Sequence, residues 1–363
     1  MPRAGRRNAL NERPLFYDLT PEDLTQRMLT WGEPAYRGRQ LWRGVYRQLA
    51  GRPKAITNLP HNLQRRLSEA FSFCSMEVKT TVRSTDNNTQ KVLLSLTDGQ
   101  SIEVVLMRYE RRRTVCISTQ VGCALGCVFC ATGQMGFVRD LTAGEIVEQV
   151  IYFARKLARN GERLTNIVVM GMGEPFLNYQ ATIQAIDTLN NPDGFNFGAR
   201  RFTISTIGLT PMIERFTQER RQVNLAVSLH AATDELRQQL LPINRRYPLE
   251  SLIPACRNYV EQTGRRITFE WALIRQVNDG LDQAEALADL IQGLNCHINI
   301  IPLNPTNGYA GETTPQQQVK NFYHYLTGRK IHCTIRMRRG ISINAGCGQL
   351  VTERKADTKP SIV

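Results

Sequence analysis

The pattern of apolar and polar positions changes character twice along the chain. Up to about residue 73, apolar residues recur at helical spacing and predict three helices, over residues 21–29, 38–49 and 59–71. Between Met76 and Met107 apolar and polar residues alternate, with Asp98-Gly99 between two such runs. This alternation predicts a β-hairpin.

Beyond the hairpin, short apolar runs alternate with helical stretches. The runs cover residues 114–118, 166–170, 201–205, 223–228, 267–273 and 297–301. Thr142 and Glu145 have the spacing of a capping box at the start of the first of these helices. Six repeated units predict an α/β fold, a partial (open) parallel β/α barrel with its chemistry at the carboxyl ends of the strands.

Together these patterns predict four regions. We expect a helical, basic, RNA-binding accessory domain at 1–75 and a β-hairpin bridge at 76–108. The partial barrel would follow at 109–350 and end in a cysteine-containing loop, and 351–363 would be a flexible tail.

The charge of the chain favours a polyanionic partner. Lys and Arg exceed Asp and Glu by 46 − 32 = 14, and the sequence pI is about 9.6. Within the N-terminal region, basic residues are interspersed with Trp31, Tyr36, Trp42 and Tyr46, a mixture suited to RNA, although Trp42 alone is better interpreted as a core residue. A solvated basic surface without a nucleic-acid role is the alternative.

No apolar run reaches about 18 residues, so we expect no membrane partner and no transmembrane helix. No apolar segment follows the arginines near the N-terminus as a secretory signal would require. Nine cysteines in 363 residues are too few for a disulfide scaffold. We therefore expect a cytoplasmic protein.

Three cysteines lie in a glycine-rich loop directly after the first predicted barrel strand. Cys123, Cys127 and Cys130 have the spacing CxxxCxxC. Three thiolates are one fewer than a four-iron cluster needs, so one iron would stay open to a chelating substrate. The alternative is a zinc site with a fourth ligand elsewhere, but the paired cysteine or histidine knuckles typical of structural zinc are missing from the sequence.

This loop resembles the signature of radical S-adenosylmethionine (SAM) enzymes. Further motifs, at residues 116–123, 171–175, 205–208, 228–230 and 347–350, make residues 31–350 similar to one family, the bacterial RNA adenine methyltransferases called RlmN, with their C8-methylating relative Cfr. The chain departs from the family at residues 342–346, Ser-Ile-Asn-Ala-Gly, where acidic and Ala-Ala residues are common.

The resemblance implies one [4Fe-4S] cluster on Cys123, Cys127 and Cys130, and two SAM molecules per turnover, one as methyl donor and one as radical source. The residues that it implies for SAM binding all follow predicted strands. They are Gly173, Glu174, Ser205, Ser228, Leu229, His230 and Asn304. Taken singly, the glycines fit a tight strand exit and His230 fits a core histidine.

Three further roles are implied by the same resemblance. Cys347 would carry a methyl group as S-methylcysteine, and Cys116 would release the product by forming a transient disulfide with Cys347. Glu103 would be the proton acceptor, although an outward charge on an alternating strand is its simpler interpretation. An adenine C–H carbon is a poor nucleophile, which explains why a radical route would be used.

The implied reaction is methylation of adenine C2 in 23S ribosomal RNA, at the peptidyl-transferase centre, and of the adenine beside the tRNA anticodon. Flavodoxin or ferredoxin would supply electrons. Residue chemistry leaves C8 methylation, as in Cfr, open. A zinc-stabilised RNA-binding protein without catalysis would leave the Gly-Glu, Ser-Leu-His and Cys347 motifs unused, and a radical enzyme for a small metabolite would not need the basic N-terminal region.

Overall fold

The structure, a computed structural model, describes residues 13–336 and 339–352. Ten strands of its described part form one sheet. These are β1 (Met76–Arg83), β2 (Thr89–Leu96), β3 (Ser101–Arg108), β4 (Arg113–Ile117), β7 (Asn166–Val169), β8 (Phe202–Thr206), β9 (Asn224–Ser228), β10 (Ile267–Leu273), β11 (Cys296–Pro302) and β12 (Cys333–Ile335). Two short strands, β5 (Gln120–Gly122) and β6 (Phe137–Asp140), form a separate hairpin.

Eleven α-helices occur in the same described residues. They are α1 (Pro21–Thr30), α2 (Tyr36–Tyr46), α3 (His61–Ala70), α4 (Ala131–Gln134), α5 (Ala143–Ala158), α6 (Tyr179–Asn190), α7 (Thr210–Gln218), α8 (Asp234–Leu240), α9 (Leu249–Thr263), α10 (Leu281–Leu290) and α11 (Gln316–Gly328). Five short 3₁₀ helices connect them, at Phe16–Asp18, Pro53–Ala55, Ala199–Arg201, Pro242–Arg245 and Ile341–Ile343.

The sheet runs in the order β1-β2-β3-β4-β7-β8-β9-β10-β11-β12. Strands β4 and β7 to β12 are parallel, and the six apolar runs of the sequence are β4 and β7 to β11, each within a residue or two of its predicted bounds. The pattern missed β12, which has three residues and no fully buried position. The predicted open α/β barrel is confirmed.

The barrel stays open because both edges of its first strand are occupied. Strand β4 pairs in parallel with β7 and antiparallel with β3, where Val105 lies opposite Cys116. Strand β12 therefore has no free edge of β4 to join. The predicted hairpin is a three-stranded antiparallel extension of the barrel sheet, β1 to β3, rather than two strands.

The three N-terminal helices, predicted from their periodicity, share one hydrophobic core with the barrel. Phe16 stacks on Phe73, with ring centroids 4.7 Å apart, and Trp42 packs on Tyr46 at 4.3 Å. Trp42 and Tyr46 are at most 1% exposed. This agrees with the interpretation of Trp42 as a core residue, whereas the expectation that Tyr46 presents its ring to RNA is wrong. Trp31 and Tyr36 remain partly accessible, each with an arginine over its ring.

Helix α5 joins the N-terminal helices to the barrel through polar contacts. Its capping box forms as predicted, with Thr142 and Glu145 satisfying each other's backbone N–H groups. The Glu148 carboxylate accepts from the backbone N–H of Ser75 at 2.9 Å. Arg155 donates to the hydroxyl of Tyr17 and to the carbonyls of Leu49 and Ala50, at 2.7 to 2.9 Å.

Among the described residues, no helix is both long and apolar enough to cross a membrane. The predicted tail at 351–363 lies outside the described residues from position 353 onward.

Substitution of Arg155 by Met should destabilise the protein. The change keeps much of the side-chain volume but leaves two half-buried carbonyls without a donor, which costs about 2 kcal/mol. Arg159→Met, at the exposed C-cap position that follows the same helix, is the matched control. Urea unfolding should show a lower midpoint for Arg155→Met alone, and equal midpoints for the two variants would contradict this account.

Candidate functional site

The cysteine loop leaves the sheet at the carboxyl end of β4. Gln149 of α5 holds this exit, because its side-chain amide accepts from the backbone N–H of Ser118 at 2.8 Å and donates to its carbonyl at 2.9 Å. The β5–β6 hairpin then forms the base of the loop. Gly122 has φ +76°, and a Cβ there would lie 1.8 Å from the carbonyl oxygen of Gly136, so only glycine fits.

Cys123, Cys127 and Cys130 line one open cavity. Burial raises the pKa of Cys123 to about 12, and burial together with the other two thiols raises that of Cys127. Thiols with raised pKa values keep their protons at neutral pH. A bound cation would displace these protons, because only the thiolate form is a metal ligand. In the described chain no three ligating side chains converge as they would around a single ion.

Most residues predicted to bind SAM line this same cavity. Those that do are Gly173, Glu174, Ser205, Ser228, His230 and Asn304. Leu229 does not line it: its side chain is fully buried, and its backbone N–H donates to the carbonyl of Glu270 at 3.0 Å. The carboxyl ends of β7, β8, β9 and β11 therefore bring the predicted residues to the cavity of the three thiols.

Glu174 is fixed at the exit of β7. Its carboxylate accepts from the backbone N–H groups of Phe176 at 3.0 Å and Ile207 at 2.9 Å, which ties the end of β7 to the end of β8. Gly173 before it has φ +97°, and a Cβ there would lie 2.5 Å from the side chain of Gln120. Burial raises the pKa of Glu174 to about 7 against these hydrogen bonds, which lower it.

His230 lies in a left-handed conformation, with φ +61°, directly after β9. Its Nδ1 accepts from the backbone N–H of Ala272 at 2.8 Å. Because an accepting nitrogen carries no proton, the neutral ring has its N–H on Nε2. Burial lowers the pKa of His230 to about 3, so the residue is a neutral hydrogen-bond donor at physiological pH.

Arg237 was not singled out by its sequence context, yet it supports the site. The residue is 0% exposed and donates to Ile207 O at 2.6 Å, Asn244 Oδ1 at 2.7 Å and Leu229 O at 3.2 Å. These acceptors belong to the exits of β8 and β9 and to the loop after α8. The buried guanidinium of Arg237 thus donates to backbone carbonyls that lie beyond the last hydrogen bonds between the strands.

A second cavity adjoins the first and contains the other predicted cysteines. Cys116 lines the second cavity, whereas Cys347 and Asn304 line both. The side-chain N–H₂ of Asn304 donates to the carbonyl of Cys347 at 3.1 Å. Burial, together with the neighbouring Cys347, raises the pKa of the Cys116 thiol, whereas the Cys347 residue is exposed. All nine cysteines lie in the described residues, and each is a free thiol.

The predicted proton acceptor Glu103 is buried but lines neither cavity. One carboxylate oxygen pairs with Lys91 Nζ at 2.7 Å, and the other accepts from the backbone N–H of Val351 at 3.0 Å. Lys91 also donates to the carbonyl of Asn344 at 3.0 Å. This ion pair therefore holds both ends of the segment that carries Cys347.

A different carboxylate reaches both cavities and was missed in the sequence. Glu270, in the middle of β10, lines the first and the second cavity, and one of its oxygens accepts from the Asn299 side chain at 2.8 Å. Burial raises its pKa. Its only sequence signal is an acidic residue inside an otherwise apolar run, Ile-Thr-Phe-Glu-Trp-Ala-Leu. A carboxylate buried inside a parallel sheet destabilises the fold unless it has a partner, so its presence there indicates a function.

Comparison with known proteins accounts for this arrangement. Residues 117–291 match the model of the Radical SAM superfamily. Dual-specificity RNA methyltransferase RlmN 1 of Myxococcus xanthus is 48% identical over 335 residues, which are 92% of this chain and 93% of the relative. A probable dual-specificity RNA methyltransferase RlmN of Chloroflexus aurantiacus is 45% identical over 350 residues, 93% of each chain.

The chain belongs to the RlmN family. It is therefore an enzyme of the radical SAM superfamily, and a non-catalytic zinc protein is excluded. A radical SAM methyltransferase of Sphaerobacter thermophilus has the same fold: its crystal structure superimposes with a TM-score of 0.91 at 50% identity and covers 93% of this chain and 99% of that one.

The donor set fits the cofactors that a radical SAM enzyme of the RlmN family requires. Three thiols lie on one loop, and they line the same cavity as Glu174, His230 and Asn304. The side-chain oxygen Oδ1 of Asn304 is buried without a hydrogen-bond partner in the described structure. An unsatisfied acceptor at this place is expected where a polar ligand normally binds.

The raised pKa of Glu174 predicts a pH-dependent stability of the cofactor-free protein. Between pH 4.5, the ordinary pKa of a glutamate, and about pH 7, the folded state keeps a proton on Glu174 that the unfolded state has lost. Stability from this group is therefore present at low pH and declines as pH rises, by at most about 1.4 kcal/mol per pH unit. Glu174→Gln should lack this decline.

Urea unfolding of both cofactor-free proteins between about pH 5 and about pH 8 measures the difference. As pH rises, the free energy of unfolding of the wild type should fall relative to that of Glu174→Gln. Parallel profiles would show that Glu174 ionises in its ordinary range.

Proposed function

We propose that this enzyme methylates C2 of an adenine in RNA, with Cys347 carrying the methyl group between two sites. One observation supports this most directly: Cys347 lines both cavities, one with the cluster cysteines and one with Cys116. A side chain at the junction can receive a methyl group on one side and present it on the other.

The first cavity would hold the cofactors. Cys123, Cys127 and Cys130 would ligate a [4Fe-4S] cluster, and Gly173, Glu174, Ser205, Ser228, His230 and Asn304, with the backbone of Leu229, would bind SAM. When bound, these cofactors supply a methyl group and the one-electron cleavage of SAM. The neutral ring of His230 and the carboxylate of Glu174 offer one donor and one acceptor to the polar groups of SAM.

Two thiols would then act in sequence. Cys347 must lose its proton when its sulfur accepts a methyl group, because the thiolate is the nucleophile. After the methyl carbon has bonded to the base, the thiolate of Cys116 would attack the Cys347 sulfur. A disulfide forms as the carbon-sulfur bond breaks. The electron pair of that bond stays with the carbon, which takes up a proton and becomes the methyl group of the released base.

Glu103 would accept the proton of the ring carbon. Its raised pKa, caused by burial, suits a proton acceptor. Because both of its oxygens are engaged by Lys91 and Val351, this role requires the Cys347 segment to shift when RNA binds.

The RNA partner is supported by the net charge of +14 and by the relatives' printed names. We expect 23S ribosomal RNA and tRNA as the two substrates that the family resemblance implies, and the relatives are named dual-specificity RNA methyltransferases. The chemistry requires an electron donor such as flavodoxin or ferredoxin, and a reducing, cytoplasmic compartment in which the thiols stay free.

Product analysis tests this function directly. Anaerobic enzyme with reconstituted cluster, SAM and reductant should add one methyl group to an RNA adenine, and digestion to nucleosides followed by mass and NMR analysis should place it on C2. Cys347→Ala should bind the same cofactors but give no methylated base. A methyl group on C8 would assign the chain to Cfr-like chemistry, and methylation by Cys347→Ala would exclude the thiol carrier.

Substitution of Cys116 by Ala should trap the protein on its substrate. Without the second thiol, nothing breaks the bond between Cys347 and the base, so a protein-RNA conjugate stable to denaturant should accumulate. The measurement is a denaturing gel with labelled RNA, followed by nuclease digestion and peptide mass analysis. Cys256→Ala, a buried cysteine that lines neither cavity, is the matched control and should form no conjugate.

Normal turnover by Cys116→Ala would show that another group releases the product. A conjugate that maps to a cysteine other than Cys347 would overturn the assignment of the carrier.

A further inference from the structure

The turn between β3 and β4 carries a tyrosine with two arginines over its ring. Tyr109 has the Cζ of Arg112 at 4.8 Å and the Cζ of Arg339 at 4.4 Å from its ring centroid. The turn itself is fixed, because Arg113 donates to the carbonyl of Tyr109 at 2.6 Å while ion-paired to Glu162. The three side chains therefore form a stacked group in a defined position.

The positive charge of this group is not neutralised by the protein. Neither Arg112 nor Arg339 forms an ion pair with a carboxylate in the described part of the chain. Asp86 interacts with Arg339 only from beyond ion-pair distance. The Nε atom of Arg339 is buried without a partner. Two guanidinium groups beside one ring, without a carboxylate partner, keep N–H groups to which an anion can bind.

The group also borders the second cavity, and its Arg112 side is exposed to solvent. Tyr109, Arg112 and Arg339 line the second cavity together with Cys116 and Cys347. Arg112 immediately precedes the strand of Cys116, and Arg339 begins the segment that leads to Cys347. A ligand that contacts both arginines therefore connects the two cysteine-bearing elements.

We propose that Arg112 and Arg339, held on Tyr109, bind a backbone phosphate next to the target nucleotide and thereby fix the Cys347 segment against the strand of Cys116. The proposal rests on the RNA-methylating function proposed above. A nucleic-acid phosphate fits because a base that occupies the second cavity leaves its flanking phosphates at the rim, where guanidinium N–H groups can contact their oxygens. Stacking of a flanking base on Tyr109 is the competing outcome.

Neutral linkages in the RNA test the contact. The probe is a stem-loop RNA with the target adenosine and a methylphosphonate at one flanking linkage at a time, bound to anaerobic holoenzyme. One linkage should weaken binding to the wild type by about tenfold or more, the size of one charge-assisted hydrogen bond. In Arg112→Gln/Arg339→Gln the same linkage should have no effect, and the salt dependence for unmodified RNA should fall by about 0.7 to 0.9 in slope.

Arg111→Gln is the matched control, since Arg111 is an exposed neighbour in the same turn that lines neither cavity. It should keep the wild-type sensitivity to the neutral linkage. Tyr109→Leu distinguishes phosphate binding from base stacking. If the neutral linkage no longer weakens binding in this variant, the proposal is supported, because the arginines have lost the ring that positions them. Lower affinity with the sensitivity retained would indicate base stacking and overturn it. Thermal melting shows whether each variant is folded.

The rate at which iodoacetamide alkylates Cys347, with and without saturating RNA, tests the positioning step. RNA should slow alkylation in the wild type and in Arg111→Gln but not in the double variant. An equal RNA effect in all three would overturn the coupling. If wild-type enzyme methylates the stem-loop but no linkage effect depends on the two arginines, the phosphate site alone is wrong. If it methylates no RNA, the proposed function itself fails.

Discussion

The site depends on buried polar side chains that hold the backbone where parallel strands leave the sheet. At these exits the strand pairing ends, but the groups are still shielded from water and need partners. Gln149 provides them at β4, Glu174 between β7 and β8, and Arg237 at β8 and β9. Asn278 does the same after β10, where its amide donates to His230 O at 2.8 Å and Ala272 O at 2.7 Å. Each satisfies an otherwise orphaned group. Glu174 also lines the first cavity, and Arg237 and Asn278 donate hydrogen bonds to residues that line it.

The open barrel has a second consequence. Because β3 occupies the edge of β4, a side opening remains between β4 and β12, and the segment after β12 covers it. That segment carries Cys347, which thus lies between the cofactor cavity and the opening. The Lys91–Glu103 pair holds the segment at both ends, so the residue expected to move a proton also contributes to the position of the carrier cysteine. Two functions of one carboxylate would be coupled by a movement of this segment.

Much of the fold and part of the site were predictable from the sequence, for identifiable reasons. Buried parallel strands are continuous apolar runs, so β4 and β7 to β11 were recognised, whereas β12 is too short and too exposed to give that signal. Adjacent thiols and glycines made the cysteine loop visible. Glu270 and Arg237 could not be recognised, because a single charged residue in a strand or helix says nothing about the partners that the fold will supply.

By itself, the sequence determined the α/β class, the N-terminal helices, the cysteine loop and, through resemblance, the family. These features depend on local periodicity or on residues close together in the chain. Only the tertiary structure decided that Cys347 joins two cavities, that Tyr46 is a core residue, and that Arg339 lies over Tyr109 some 230 residues away. Such contacts depend on the packing of strands and helices that are distant in the chain, and local sequence patterns carry no information about them.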